Sequence, residues 1–328
     1  MKKLFSMLLG VVLTLALCFS LAGCNKDYEG KIEIYMPDGA PALAFSRLMS
    51  ENNTLEREVS YHVVDANTIG TYVANETAAA ALIPVNAATK LAGTGEKYKM
   101  LSVNTHGNLF VVGKQEAGDI NALKGKKIGV VNLANVPGLT FKAILADKGI
   151  AYTEDAAALN SENVYLVNIA GTEIAARLNA DGASALDFVV APEPAVSTIT
   201  GKVPAIKVRL SLQDLWGEGG YPQAVLLAKT ELTQDKDFVN ALLDALNASA
   251  EWLPSHASDA AEAVKNHLTE GLNPSFTADN LTETVIANCN IKVEKAADAK
   301  EKVKSYINKI MAIDAQSTSA PADAFFYM

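Results

Sequence analysis

Arginine is nearly missing from this chain: 328 residues hold four, Arg47, Arg57, Arg177 and Arg209. The guanidinium fork is the usual bidentate clamp on a carboxylate or sulfonate. A strongly anionic ligand therefore has few side chains to hold it, although helix N-termini alone also bind anions. Histidine is equally scarce. His62, His106, His256 and His267 fall in no triad and no metal-ligand spacing, which argues against acid–base catalysis and against zinc-type sites. Lysine and arginine total 28 against 37 acids, a formal charge of −9, so no basic surface is offered to nucleic acid. Three cysteines, Cys18, Cys24 and Cys289, are too few for a disulfide framework.

What is present begins at the N-terminus. Lys2 and Lys3 precede an almost wholly apolar run over residues 4–21, the order of a secretory signal. A membrane-spanning helix is the alternative, since about 18 apolar residues just cross a bilayer. The end of the run favours the signal: Leu21-Ala22-Gly23-Cys24 resembles the lipobox of bacterial lipoproteins. That resemblance implies a signal peptide over 1–23, cleavage before Cys24, acyl chains (palmitate among them) on its thiol, and a lipid-anchored linker over 24–30. Two or more chains suffice for stable anchoring. The signal removes two lysines and no acid, leaving 26 bases, 37 acids and a mature charge of −11. Cys18 leaves with the signal, so Cys289 remains alone and is expected as a small buried hydrophobe on a helix.

About 300 mature residues exceed a comfortable single core, so two domains are expected. Strand-like segments at 31–36, 59–64, 78–83, 100–103 and 109–112 alternate with short helical ones. A second such series starts near Lys124, with strands at 126–131, 164–167 and 186–190. After a glycine-rich joint at 217–222 a strand at 223–228 follows, and then helices over 237–252, 258–268, 277–287 and 296–311. This βα alternation predicts an α/β fold of helix-covered parallel sheets. One unit interrupts the other. Residues 31–112 and 223–328 are expected to form lobe 1 and residues 113–222 lobe 2, with crossings near 113–115 and 208–223. Two lobes on paired crossings make a hinge, and the cleft between them is the natural ligand site.

Four stretches carry a family likeness: residues 36–43 (MPDGAPAL), 82–88 (LIPVNAA), 123–129 (LKGKKIG) and 191–195 (APEPA). In this order and spacing the chain resembles the solute-binding lipoproteins of ABC importers, in the group of nitrate, sulfonate, taurine and thiamine-precursor binders. The resemblance implies the type II periplasmic-binding-protein fold, a small-molecule solute, an ABC permease as partner, no cofactor, no catalysis, a monomer and an extracytoplasmic place on the cell membrane.

Ligands of parallel α/β lobes bind where strands end and helix N-termini begin. Five corners qualify. Asp38, Gly39 and Ala40 lie in the first turn, where Gly39 lets backbone approach a ligand. Asn86 either caps its helix or contacts solute. Asn132, Asn135 and Gly138 lie in a connection long for its kind. Asn168 and Thr172 form the fourth corner, Thr172 also fitting an N-cap. Glu193 sits between Pro192 and Pro194, which restrict its backbone. Tyr35 and Trp216 are stacking groups or, more simply, packing groups. Asparagines plus one carboxylate, with no arginine, suit a neutral or cationic nitrogen-containing solute. Two rivals stand beside this reading. One is an enzyme like the thiamine-pyrimidine synthases, for which His106 is the one placed histidine, against its ordinary reading as a satisfied surface residue. The other is a metal-binding lipoprotein.

Overall fold

The computed structural model describes residues 27–328 apart from 53, 54 and 218. The signal run and Cys24 lie outside the described residues. Two six-stranded sheets organise the chain. The first contains β1 (Ile32–Pro37), β2 (Val59–Val64), β3 (Ala80–Pro84), β4 (Tyr98–His106), β11 (Pro222–Lys229) and β12 (Ile291–Lys295), in the order β12-β4-β11-β3-β1-β2. The second contains β5 (Leu109–Gly113), β6 (Lys127–Val131), β7 (Ala151–Thr153), β8 (Asn163–Ile169), β9 (Phe188–Pro192) and β10 (Lys207–Ser211), in the order β10-β5-β9-β6-β8-β7.

Both sheets are mixed. β1 runs parallel to β2 and β3, while β11 runs antiparallel to β3 and β4. In the second sheet β6 is parallel to β8 and β9, while β5 is antiparallel to β9 and β10. The central strands are apolar end to end because helices cover both faces, as β3 and β5 show by being buried almost throughout.

The first crossing lies nearer the N-terminus than the sequence suggested. Residues 109–112, expected in the first unit, belong to β5, which pairs with β9 and β10 of the second sheet. The chain changes sheets at Gly107 and Asn108, and returns through the helix Leu212–Trp216 and the turn before β11. Gly217, Gly219 and Gly220 hold left-handed φ values of 113°, 81° and 59° there, which side chains with a Cβ resist. The helix expected over 277–287 is two pieces. A 3-10 turn, Ala278–Asn280, closes when Asn280 Oδ1 accepts the Thr277 amide at 2.7 Å. Thr282 then starts a new helix, Glu283–Asn288, by accepting the Val285 amide at 3.3 Å. Cys289 follows that helix and is fully buried.

Behind the crossings the two sheets share one hydrophobic core. The helix Val136–Asp147 is apolar nearly all round because it is covered on every side. It packs against the long helix Ala296–Ile313, where Thr140 Oγ1 and Tyr306 OH share a buried hydrogen bond of 2.8 Å. Trp216, Tyr221 and Tyr306 form an aromatic cluster beside it, with Lys309 Nζ 4.7 Å from the Trp216 ring centre. Trp216 is thus a packing group. Among the described residues no helix is long and apolar enough to cross a membrane.

Candidate functional site

The end of β1 and the end of β9 come together where the two sheets meet, and each is followed by a carboxyl group, Asp38 and Glu193. Asp38 follows β1. Its Oδ1 accepts the Gly39 amide and its Oδ2 the Ser275 amide, both at 2.7 Å. Burial pushes this carboxyl above its ordinary value, against the pull of those hydrogen bonds. Gly39 turns with φ 99° and ψ −147°, a region essentially reserved for glycine. That turn delivers Ala40 to the start of a short buried helix, Ala40–Ala44. A Cβ on Gly39 would stand 3.9 Å from Pro194 Cδ, so the first corner of one sheet touches the last corner of the other.

Glu193 ends β9 and is 2% exposed. Its Oε1 accepts the Ser197 hydroxyl at 2.7 Å and its Oε2 the Ser197 amide at 2.9 Å, so it closes the first turn of the helix Ala195–Lys202. The Asn288 side chain, carried by the first sheet's unit, reaches the same carboxyl. Burial again raises its pKa above the ordinary value, and hydrogen bonds from Ser197 and Asn288 only partly offset that. Burial, with Glu193 nearby, also pushes the Cys289 thiol up. A second bridge lies alongside, where the Thr198 hydroxyl donates to the Ser275 carbonyl at 3.2 Å. Neither Asp38 nor Glu193 is ion-paired among the described residues. All four arginines are committed to other acids: Arg47 to Glu51, Arg57 to Asp235, Arg177 to Glu173 and Arg209 to Glu116.

The remaining corners are placed differently. Asn86 does not cap its helix, which Pro84 precedes; it is the second residue of Val85–Ala92 and is buried. Its Nδ2 donates to the Ser317 carbonyl at 3.3 Å, part of a clasp in which Thr89 meets Thr318 and Lys90 meets Gln316. Asn132 adopts a left-handed φ of 61°, and its carbonyl accepts the Asn135 amide at 3.0 Å. Asn135 occupies the cap position of the helix Val136–Asp147 without a side-chain cap bond. Gly138 is obligatory there, because a Cβ would lie 1.9 Å from the Leu133 carbonyl oxygen. Asn168 is exposed and accepts the Leu133 amide at 2.9 Å, pinning the same loop. Thr172 is not an N-cap. It is exposed within a turn, Gly171–Glu173, that Glu173 closes by accepting the Ala170 amide at 2.8 Å.

Sequence reasoning missed the polar run at the end of β4. Ser102, Asn104, Thr105 and Asn108 are each 0% exposed. The signal was there: asparagine, threonine and histidine interrupt two apolar strands over residues 104–108. His106 is buried, not a surface residue. Its Nε2 lies 3.1 Å from the Lys292 carbonyl, and burial holds its pKa below the ordinary value. Tyr35 is half-buried and stacks between His62 and Tyr72 at 4.5 and 4.2 Å. Among the described residues no group of three His, Cys, Asp or Glu side chains is arranged to hold a metal.

No protein-family model and no curated protein matches this sequence. Solved structures do. An ABC transporter from Parabacteroides distasonis is 20% identical, covers 91% of this chain and 99% of its own, and superposes with a TM-score of 0.71. The periplasmic aliphatic sulphonate-binding protein of Escherichia coli is 11% identical, with 90% and 96% covered and a TM-score of 0.64. A Candida albicans protein exhibiting the generic periplasmic-binding-protein fold is 10% identical, with 89% and 97% covered and a TM-score of 0.55. The chain has the periplasmic-binding-protein fold. At these identities the likeness carries the fold alone, and the ligand has to be argued from this chain's own residues.

Proposed function

We propose that this chain is the extracytoplasmic solute-binding subunit of an ABC importer, held to the cell membrane by lipid on Cys24. It captures a small neutral or cationic nitrogen-containing solute between lobes built on the two sheets and delivers it to a permease. One observation supports the ligand class: Asp38 and Glu193, at adjoining corners of opposite sheets, have no lysine or arginine paired to either. Each carboxylate oxygen retains acceptor capacity beyond the bond it makes, so the cleft is rich in acceptors. The committed arginines argue against a sulfonate in the same place, whatever the sulphonate-binding relatives hold.

The mechanism is a population shift. Solute satisfies groups on both lobes, and closure follows because the closed form binds it better. Gly39 against Pro194 and Thr198 against Ser275 are contacts such a closed form makes. The reading is of a receptor, not a catalyst: His106, the one histidine near the crossing, is turned to a backbone carbonyl. Calorimetry with amines, amides and aminopyrimidines set against alkyl sulfonates tests the ligand class. Binding is expected among the N–H-bearing compounds. Tight sulfonate binding without response to any of them refutes it.

A further inference from the structure

Six buried side-chain atoms have no hydrogen-bond partner among the described residues: Asn86 Oδ1, Asn104 Nδ2, Thr105 Oγ1, Asn108 Oδ1, Tyr221 OH and Ser275 Oγ. Two of them still lean on a polar group, Ser275 Oγ on the Asp38 carboxyl and Tyr221 OH on the Leu109 amide. Of the other four, three fall within residues 104–108, where the chain leaves one sheet for the other. Partnerless buried polar atoms are rare in native interiors, because each has given up water and received nothing. Three at one crossing call for a cause.

Their surroundings place them where the two sheets join. Asn108 joins the two sheets through its backbone: its amide donates to Gln223 Oε1 at 3.3 Å, and its carbonyl accepts the Glu193 amide at 3.0 Å. Its Nδ2 reaches the Glu193 carbonyl at 3.5 Å, which leaves Oδ1 over. Asn108 therefore adjoins the corner where Pro194 meets Gly39. Thr105 pairs with Ala224 and Ile291 at the same end of the first sheet. Asn104 Oδ1 accepts the Ser102 hydroxyl at 2.7 Å, which leaves its Nδ2 over.

We infer that Asn104, Thr105 and Asn108 are a solute-reading segment whose uncommitted atoms make closure conditional on a solute with an amide-like edge, carrying both an N–H donor and an acceptor. The inference rests on reading the cleft as a solute site. Asn108 Oδ1 takes a donor, Asn104 Nδ2 takes an acceptor, and the Thr105 hydroxyl serves as either. In an open form water meets all three. Closing on nothing strips that water, whereas closing on a matching solute replaces it. A site of this kind also rejects analogues that leave its buried groups unpaired.

Thr105→Val tests this on the ligand-free full chain, because valine keeps the shape and removes the hydroxyl. Because the ligand-free parent is open with this hydroxyl hydrated, the variant gains stability only by closing. Its melting temperature is expected to rise by up to about 2 °C, the order that relief of one unpaired buried hydroxyl gives in a domain pair of this size. Small-angle scattering is expected to show a smaller radius of gyration than the ligand-free parent, with Thr105→Ser unchanged. A lower melting temperature for the valine variant, or a valine variant that fails to fold while the serine variant folds, means that the hydroxyl is held structurally and overturns the inference. The experiment contains no solute, so its failure is distinct from a failed calorimetric panel.

Discussion

Asp38 holds both oxygens against backbone amides and Glu193 holds one against an amide and one against a hydroxyl, yet burial keeps both carboxyls above the ordinary range. The sign of the consequence is fixed by linkage. A carboxyl whose pKa is raised in the fold binds its proton more tightly there than in the unfolded chain. Its contribution to stability is present below the ordinary carboxylate value and is lost as pH rises through the raised one. Thermal melts of the ligand-free protein from acid to neutral pH should therefore show the parent losing stability relative to Glu193→Gln as pH rises. Parallel curves would mean that the Glu193 carboxyl titrates like a surface acid. Gly39 gives a second residue-scale test. Its backbone at φ 99° and ψ −147° penalises any Cβ, so Gly39→Ala should cost about 1–3 kcal/mol by chemical denaturation. At this scale the sequence was legible in part. Asp38, Gly39 and Glu193 read from sequence as strand-end corners, and the corners at Gly39 and Glu193 lie side by side where the sheets meet. Asn86 and Asn168 read the same way, and the structure shows each fastening something else as well, one the C-terminal segment and one a loop. Short sequence patterns cannot tell those uses apart, because each partner lies far along the chain.

The helices Val136–Asp147 and Ala296–Ile313 tie the two sheets together behind the crossings. Tyr306→Phe removes the hydroxyl bonded to Thr140 and should cost about 1 kcal/mol, or about 2 °C in melting temperature. The C-terminal segment should matter more. Phe325 and Phe326 are buried under β4 and the long helix, so Phe325→Ala should cost about 3–5 kcal/mol. A loss under 1 kcal/mol would show that the segment is dispensable. The central strands were readable as apolar runs. The strands that went unread, Ala151–Thr153, Lys207–Ser211 and Ile291–Lys295, all lie at sheet edges. Edge strands carry charges and expose one side, so Ile291–Lys295, with its glutamate and two lysines, alternates apolar and polar over only four residues and does not stand out from the helices around it. Residues 109–112 read as a strand, but one of the first unit, because strand pairing is not written in a strand's own residues.

On the scale of the whole molecule, the proposed lipid on Cys24 decides where the cleft works. Cys24→Ser should leave the fold intact and shift the protein from the membrane fraction to the soluble or secreted one. An unchanged membrane fraction would point to another anchor. The two-lobed fold and the small-molecule cleft together make the central claim, that a nitrogen-bearing solute is bound between the sheets. The most direct measurement is a crystal structure of the chain with the tightest-binding compound of the amine, amide and aminopyrimidine panel. The account predicts that compound between the sheets, with N–H groups directed at Asp38, Glu193 or Asn108. A compound seated away from the gap, or one whose acceptors alone face helix N-termini with those three residues untouched, would contradict it.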